Sequence, residues 1–315
     1  MPEPIHISIT ANAAYARYAA ITLWSVLART RRPVRVHPLD CGLSAAQHAA
    51  FRALMAAHPD AAIDFVAARP LLDRFANVPE RNKTTLVRLF LPQVLPDVGR
   101  VLHLDSDLVA LDDVAPLFDI DLAGHAVGAV PNLRTAEKHY VSRSRWAFLH
   151  PKTVQQAAAE TARLKRDVGL DALTEHINAG VLVLDLAAIR ARIGTARFGD
   201  LDEANKRAQF DQDWIACVAR GDIARLDPRW NTYSSIGRLN LWAFPPAEQA
   251  ALRAAKAAPG IVHFVGAKPW GPAKSRAAAV RRRFDPYVRA WREAGAGMDA
   301  FLAREAPAEA ASLSL

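Results

Sequence analysis

The chain has 315 residues, 51% of them hydrophobic and 23% charged, with 40 Lys+Arg against 32 Asp+Glu for a net charge of +8. That apolar content excludes wholesale disorder, and the length allows one large domain or two small ones. Every apolar run of about 18 residues is broken by charge, so no spanning helix is expected; Ala11–Ala28 comes nearest, and Arg17 interrupts it.

The first residues, MPEPIHISIT, carry Glu3 and no basic cluster ahead of an apolar run, so they do not read as a secretory signal. His6–Ile9 predicts a strand and Ala13–Ala28 the helix behind it. Val34–Leu39 is a second strand. Ser44 and Gln47 stand at capping-box spacing and predict a helix to about Ala57. Ile63–Val66 is a third short strand, and Thr84–Leu95 a helix stopped by Pro96. Val101–Leu104 is an apolar run ending in Asp105, as expected of a buried parallel strand. Ala126–Val130 and Val181–Leu186 are further strands, Asp211–Arg220 is helical, and Ile261–Val265 is a late strand. Strands alternating with helices predict an α/β fold with a mostly parallel central sheet. In such folds ligands bind beyond the carboxyl ends of the strands. With no internal repeat, the simplest division is a catalytic domain over 1–270 and a helical C-terminal appendage over 271–315. Cys41 and Cys217 lie far apart and make neither a metal-type pair nor a disulfide framework, which suits a reducing cytoplasm.

The positive charge is concentrated. Between Gly271 and Glu293 seven Lys/Arg (Lys274, Arg276, Arg281, Arg282, Arg283, Arg289, Arg292) face two acids, giving +5 of the +8. Val280, Phe284, Tyr287, Val288 and Trp291 interleave at near-helical spacing, and Asp285-Pro286 marks a second helix start, so two short helices are expected. Such a segment fits an anionic membrane surface or a solvated face over a packed stripe. Nucleic acid is not expected as a partner. The stretch Ala294–Leu315, rich in Ala and acids, reads as a loose tail.

The stretch VLHLDSDLV carries the most chemistry. Asp105 and Asp107 follow a buried strand at i and i+2 and can converge on one cation, offering hard oxygen ligands suited to Mg²⁺ or Mn²⁺. Gly-rich phosphate loops are absent, so a diphosphate would have to be met by metal and side chains. IVHFVGAKPW supplies parts for that: His263 a nitrogen ligand, Gly266 a close backbone approach, Lys268 a cation for phosphate. Taken alone, His263 also fits a hydrogen-bonded core histidine, Arg88 a helix-face ion pair, and Asp211–Asp213 an acid-rich helix start.

The chain resembles the family-8 retaining glycosyltransferases, most of all the bacterial lipopolysaccharide galactosyl- and glucosyltransferases. The resemblance rests on six blocks in order: the first strand before Tyr15, TTLVRL, VLHLDSDLV, INAGVLVLDL, FDQDWI and HFVGAKPW. It implies a GT-A fold, a UDP-hexose donor, a glycan or glycolipid acceptor, and Mn²⁺ or Mg²⁺ as cofactor. By position it implies Asp105, Asp107 and His263 as metal ligands. It implies Thr10, Ala11, Asn12, Arg88, Asp105, Ser106, Gly266 and Lys268 as nucleotide-sugar contacts. Gln212, Asp211 and Asn178 fall at the reacting centre. The cysteine usage and the basic segment, for their part, point to a cytoplasmic protein with peripheral contact to the inner membrane face through 271–293.

Three departures stand out. Asn12 replaces the acid usual in the first loop, HFVGAKPW is one residue shorter than the usual spacing, and the acceptor-side loops do not align. Arg134–Pro151, basic and aromatic, reads either as a lid or acceptor surface or as an exposed connection. Gln212 is a poor nucleophile where double displacement would want a carboxylate, which favours front-face attack. Two other functions fit parts of the pattern: a phosphohydrolase using the D-x-D motif, and a non-catalytic sugar-nucleotide-fold binding protein.

Overall fold

The computed structural model describes residues 3–75, 77–272 and 275–313. The chain begins β1 (Ile5–Ala11), α1 (Ala16–Leu27), β2 (Val34–Asp40), α2 (Ala45–Met55), β3 (Ala61–Ile63), β4 (Val66–Ala67) and α3 (Glu80–Leu86). It continues through β5 (Arg100–Leu104), β6 (Leu108–Ala110), β7 (Val127–Pro131), α4 (Leu133–Arg143), α5 (Pro151–Asp167), β8 (Ile177–Asp185) and α6 (Phe210–Val218). It closes with β9 (Ile223–Arg225), β10 (Thr232–Tyr233), α7 (Pro246–Ala257), β11 (Ile261–His263), α8 (Arg276–Phe284) and α9 (Pro286–Glu305).

The main sheet has the order β3-β2-β1-β5-β8-β7-β9, with β4 also on β2. It is the mostly parallel α/β sheet expected; β8 alone runs against its neighbours β5 and β7. A small second sheet, β10-β11-β6, stands beside it. Ile7 and Ile9 of β1 and Leu102 and Leu104 of β5 share one face with α1 and α9. Val101 of β5 and Leu182 and Leu184 of β8 face a second core on the other side. Strand alternation thus feeds two cores, as a sheet covered on both faces requires.

Local chemistry explains most element boundaries. Ser44 and Gln47 form the predicted capping box at the start of α2. The expected third strand is split into β3 and β4, and Pro38 of β2, with no N–H to donate, stands opposite the gap. The expected 84–95 helix starts earlier, at Glu80, tightens to 3₁₀ over Val87–Phe90 and restarts at Leu91. Pro92 cannot donate to the carbonyl of Arg88, which breaks the α-helical ladder there.

The C-terminal segment differs from the expected loose tail. Asp285 caps α9 by accepting from the Tyr287 and Val288 amides. The helix α9 is 20 residues long, not short. It buries Val288, Trp291, Met298, Phe301 and Leu302 in the same core as α1. Leu313 is buried there too, and Arg17 of α1 pairs with Asp299 at 2.7 Å while donating to the Leu313 carbonyl. The apolar stripe of the basic segment therefore divides: Val288 and Trp291 are core, whereas Val280 and Phe284 of α8 are exposed. Lys274 and the side chain of Arg281 lie outside the described residues. Among the described residues no helix is long and apolar enough to cross a membrane.

Two predictions follow from this packing. Met298→Ala should lower the unfolding free energy in urea by about 2–5 kcal/mol, the range for emptying a buried side chain; a loose tail would register no change. Burial pushes the His37 imidazole down to about 4, so it stays neutral in the fold while the unfolded chain protonates near 6.5. Its contribution is full above pH 6.5 and is lost as the pH falls toward 4. Urea curves at pH 7 and pH 5 should show a smaller loss for His37→Phe than for the parent chain, by about 2 kcal/mol.

Candidate functional site

Strand direction assembles the site. Because β8 is antiparallel to β5, its first residues lie beside the carboxyl end of β5: Val181 pairs with Leu104, and the Asp105 amide donates to the Gly180 carbonyl at 2.9 Å. Because β11 is antiparallel to β6, His263 pairs with Leu108 and lies next to Asp107. Asp105, Asp107 and His263 each offer one ligand atom, all within 4.8 Å of one another. Two carboxylates and an imidazole form a donor set for a hard or borderline divalent cation.

Each carboxylate is divided between a cation and this shared centre. Asp105 gives Oδ1 to Arg88 at 2.6 Å and turns Oδ2 toward His263 Nε2 at 3.9 Å. Asp107 gives Oδ2 to the Lys268 ammonium and faces His263 Nε2 with Oδ1 at 3.4 Å. Burial works against charge on Asp107, yet His263 and Lys268 hold its carboxyl well below the usual range. Gly266 adopts φ +87 in the loop that returns Lys268 to Asp107, a backbone that suits glycine.

The histidine tautomer follows from one amide. The Gly180 N–H can only donate, and it meets Asn178 Oδ1 at 3.1 Å. Asn231 Nδ2 therefore donates to the same oxygen at 2.7 Å, which leaves Asn231 Oδ1 to accept from His263 Nδ1 at 2.9 Å. Nδ1 therefore carries a proton, and Nε2 is the ring nitrogen turned toward the two aspartates. Gly180 also leaves room for the ring: a Cβ there would lie 2.2 Å from His263 Cε1 and 3.0 Å from Asp105 Oδ2. The cradle thus suits a cation held by these three side chains.

The carboxamide chain continues to Gln212. Asn178 Nδ2 and the Ala179 amide donate to Gln212 Oε1 at 3.2 and 3.3 Å, and Gln212 Nε2 donates to Gln209 Oε1 at 2.5 Å. Asp213, fully buried, is clamped by Arg163 of α5 at 2.5 Å and by His176 at 2.9 Å. Burial opposes its charge, but those partners lower its carboxyl to about 2. Asp211 lies 3.2 Å from Arg88. Burial raises its carboxyl to about 6 despite that guanidinium, which is shared with Asp105. Phe210, at the head of α6, holds φ +45, a left-handed conformation that costs a bulky residue about 1–3 kcal/mol.

Two adjoining clefts share Thr85, Arg88 and Asp105. The first, about 270 Å³, is lined by Thr10, Asn12, Tyr15, Ser106, Asp107 and Lys268 among others. The second, about 190 Å³, is bounded by Asn178, Gly180, Asp211 and Gln212. The structure therefore gathers most of the sequence-selected residues. Ala11 is the exception in kind: its methyl is buried in the core, and only its backbone is near. Asn12 spends its carbonyl on the Tyr15 amide at 2.9 Å. Sequence reasoning missed Asn231, Gln209, Arg163 and His176, whose neutral or long-range pairings leave no spacing signature; Gly180 was legible only as the end of the N-A-G turn.

Glycosyl transferase family 8 matches residues 6–273. Among curated proteins, "Probable galacturonosyltransferase 12" of Arabidopsis thaliana is 29% identical over 58% of this chain and 32% of its own length. The chain spans 32–59% of the length of three such relatives. Among solved structures, the bifunctional glycosyltransferase WbbM superposes with a TM-score of 0.70 at 20% identity, over 93% of this chain and 52% of WbbM. The galactosyltransferase LgtC, solved with donor and acceptor sugar analogues, gives 0.67 at 22% identity, over 93% of this chain and 96% of LgtC. Both share the fold, with its helical C-terminal region.

Gly180→Ala should displace His263 without unfolding the chain. Calorimetric titration with Mn²⁺ should show affinity lowered by about 10–100-fold, the cost of disturbing a ligand's support, while the ion-free protein still melts cooperatively, destabilised by about 1–3 kcal/mol. Unaltered Mn²⁺ affinity would remove His263 from the cation centre.

Proposed function

Since the chain belongs to glycosyl transferase family 8, we propose that it is a retaining, metal-dependent hexosyltransferase that moves galactose or glucose from a UDP-hexose to a glycan or glycolipid acceptor. The observation that carries this reading is the shared centre of Asp105, Asp107 and His263 at the lip of a cleft flanked by Lys268 and Arg88. Mn²⁺ or Mg²⁺ is the cofactor, with those three side chains as its ligands. When bound there, the ion supplies Lewis-acid charge to a diphosphate.

The remaining steps belong to the chain's own groups. Thr10, Asn12 and Ser106, with the backbone at Ala11, border the nucleotide end of the cleft, and the turn at Gly266 sets Lys268. Lys268 exchanges Asp107 for the diphosphate and stabilises the charge that develops as the glycosidic bond breaks. Arg88 fixes Asp105 and Asp211 against the sugar. Gln212 cannot serve as a free nucleophile, because its amide oxygen accepts from Asn178 and Ala179 and its NH₂ is held by Gln209. Asp213 is clamped away by Arg163 and His176. Front-face attack follows: the acceptor hydroxyl adds to the anomeric carbon from the side the diphosphate leaves, and its proton passes to a leaving phosphate oxygen. Gln212 lends its dipole to the oxocarbenium-like transition state.

A hexuronate donor is the second reading, favoured by the name of the plant relative. For localisation we propose a cytoplasmic protein that touches the inner membrane face through 271–293. Among the described residues of that segment, Val280 and Phe284 are the large apolar side chains left exposed.

A donor panel of UDP-galactose, UDP-glucose and UDP-galacturonate, assayed for hydrolysis with Mn²⁺ and with chelator, tests the assignment. Turnover of a UDP-hexose is expected only with the ion. Asp107→Asn should abolish it, while Gln212→Ala should lower kcat by about 10²-fold. Full activity in chelator would defeat the metal assignment; an adduct trapped on the parent enzyme, with complete loss in Gln212→Ala, would defeat front-face attack.

A further inference from the structure

A cluster of large apolar side chains lies outside the cleft residues, at the tip of the hairpin between α4 and α5. Trp146 is 43% exposed, Phe148 70% and Leu149 61%, and Trp242 from a separate turn is 44% exposed. Two ring pairs lie along this stretch: Trp146 is 6.2 Å from Phe148, and His150, next to Leu149 in the chain, is 5.6 Å from Trp242. Four of the seven large hydrophobic side chains found exposed among the described residues are gathered here. Singly exposed apolar residues are ordinary, but a contiguous set points to a partner.

The charge around the patch identifies that partner. From Lys138 to Ala159 the sequence holds Lys138, Arg143, Arg145 and Lys152 and no Asp or Glu. Arg145 lies over the Trp146 ring at 5.0 Å, and Arg143 lies 3.2 Å from His139 Nδ1. Among the described residues no carboxylate forms an ion pair with Arg143, Arg145 or Lys152. The stretch around Trp242, from 228 to 247, has no acid of its own and carries Arg238; its Arg229 is neutralised by Asp112 at 2.5 Å. Aromatic rings flanked by cations, with Phe and Leu projecting beyond them, match a membrane interface: rings sit at headgroup level, cations meet anionic headgroups, and apolar tips enter the acyl boundary. Beside Trp242 the Asn240 amide already accepts from the indole at 3.3 Å and donates to Glu137 at 2.9 Å, so it is engaged within the protein rather than offered to sugar hydroxyls.

We infer that the 144–150 tip, together with Trp242, is a docking wedge for an anionic lipid bilayer, distinct from the basic segment at α8. The tip is set at one end of α5. Arg163, which clamps Asp213, lies 13 residues along the same helix from His150, or about 20 Å at 1.5 Å per residue.

The test is co-sedimentation of the full chain with phosphatidylcholine vesicles, with and without 30% phosphatidylglycerol, comparing the parent with Phe148→Ser/Leu149→Ser and with Val280→Ser/Phe284→Ser. All four positions are exposed, so the folds should hold. Binding should need the anionic lipid, and the tip variant should lose about ten-fold or more in partitioning, the effect of withdrawing two apolar anchors. UDP-hexose hydrolysis in solution should be unchanged in that variant. Equal binding by the tip variant, loss only in the α8 variant, or no vesicle binding by the parent would overturn the inference. So would a tip variant that binds vesicles normally but fails with a soluble glycan acceptor, or one that converts a dimeric parent to monomer. Vesicle binding is read without the donor, so failure of the donor assignment leaves this result legible.

Discussion

The Gly180 backbone amide sets the direction of every carboxamide around the centre. It is an unambiguous donor, and Asn178 must turn an oxygen to meet it. That choice passes through Asn231 to His263 on one side and through Gln212 to Gln209 on the other. Reversing any one amide would place donor against donor in a buried space, at the cost of an unsatisfied polar group. One N–H thus decides which imidazole nitrogen faces the aspartates and which face Gln212 shows to the cleft. Without a Cβ, the same residue leaves the room in which the ring sits.

Topology makes this arrangement possible. A fully parallel sheet would set the far end of β8 beside Asp105; the single antiparallel insertion brings Asn178, Ala179 and Gly180 there instead. The small sheet repeats the device with β11 and β6, supplying His263 next to Asp107. Two reversals of strand direction therefore bring together segments far apart in sequence. On the opposite side, α9 closes the first core over α1, so the C-terminal helix supports the sheet that carries Asp105.

How much of this was legible follows from the range of each signal. Alternating isoleucines mark β1, and Ser44 with Gln47 mark α2, because both patterns are local. The two aspartates after an apolar strand stood out for the same reason. The direction of β8 did not: a central strand buried on both faces is a continuous apolar run whichever way it points. The support of His263 and Gln212 was also invisible, since Asn231 pairs with residues 32 and 53 positions away and a neutral amide has no characteristic spacing. The tail was misread on composition. Alanine and acid content suggested looseness, but Met298, Phe301, Leu302 and Leu313 recur often enough to bury one face of the segment.

The placement of Lys268 on Asp107 has a thermodynamic consequence for the proposed chemistry. An ion arriving alone must compete with an ammonium already neutralising one of its ligands, and a nucleotide arriving alone meets a lysine already engaged. When both arrive, the diphosphate takes the ammonium and frees the carboxylate. Each ligand thereby strengthens the other by the same factor, as linkage demands. Under the proposed chemistry, such reciprocity would make the centre hold cation and nucleotide together more tightly than either alone.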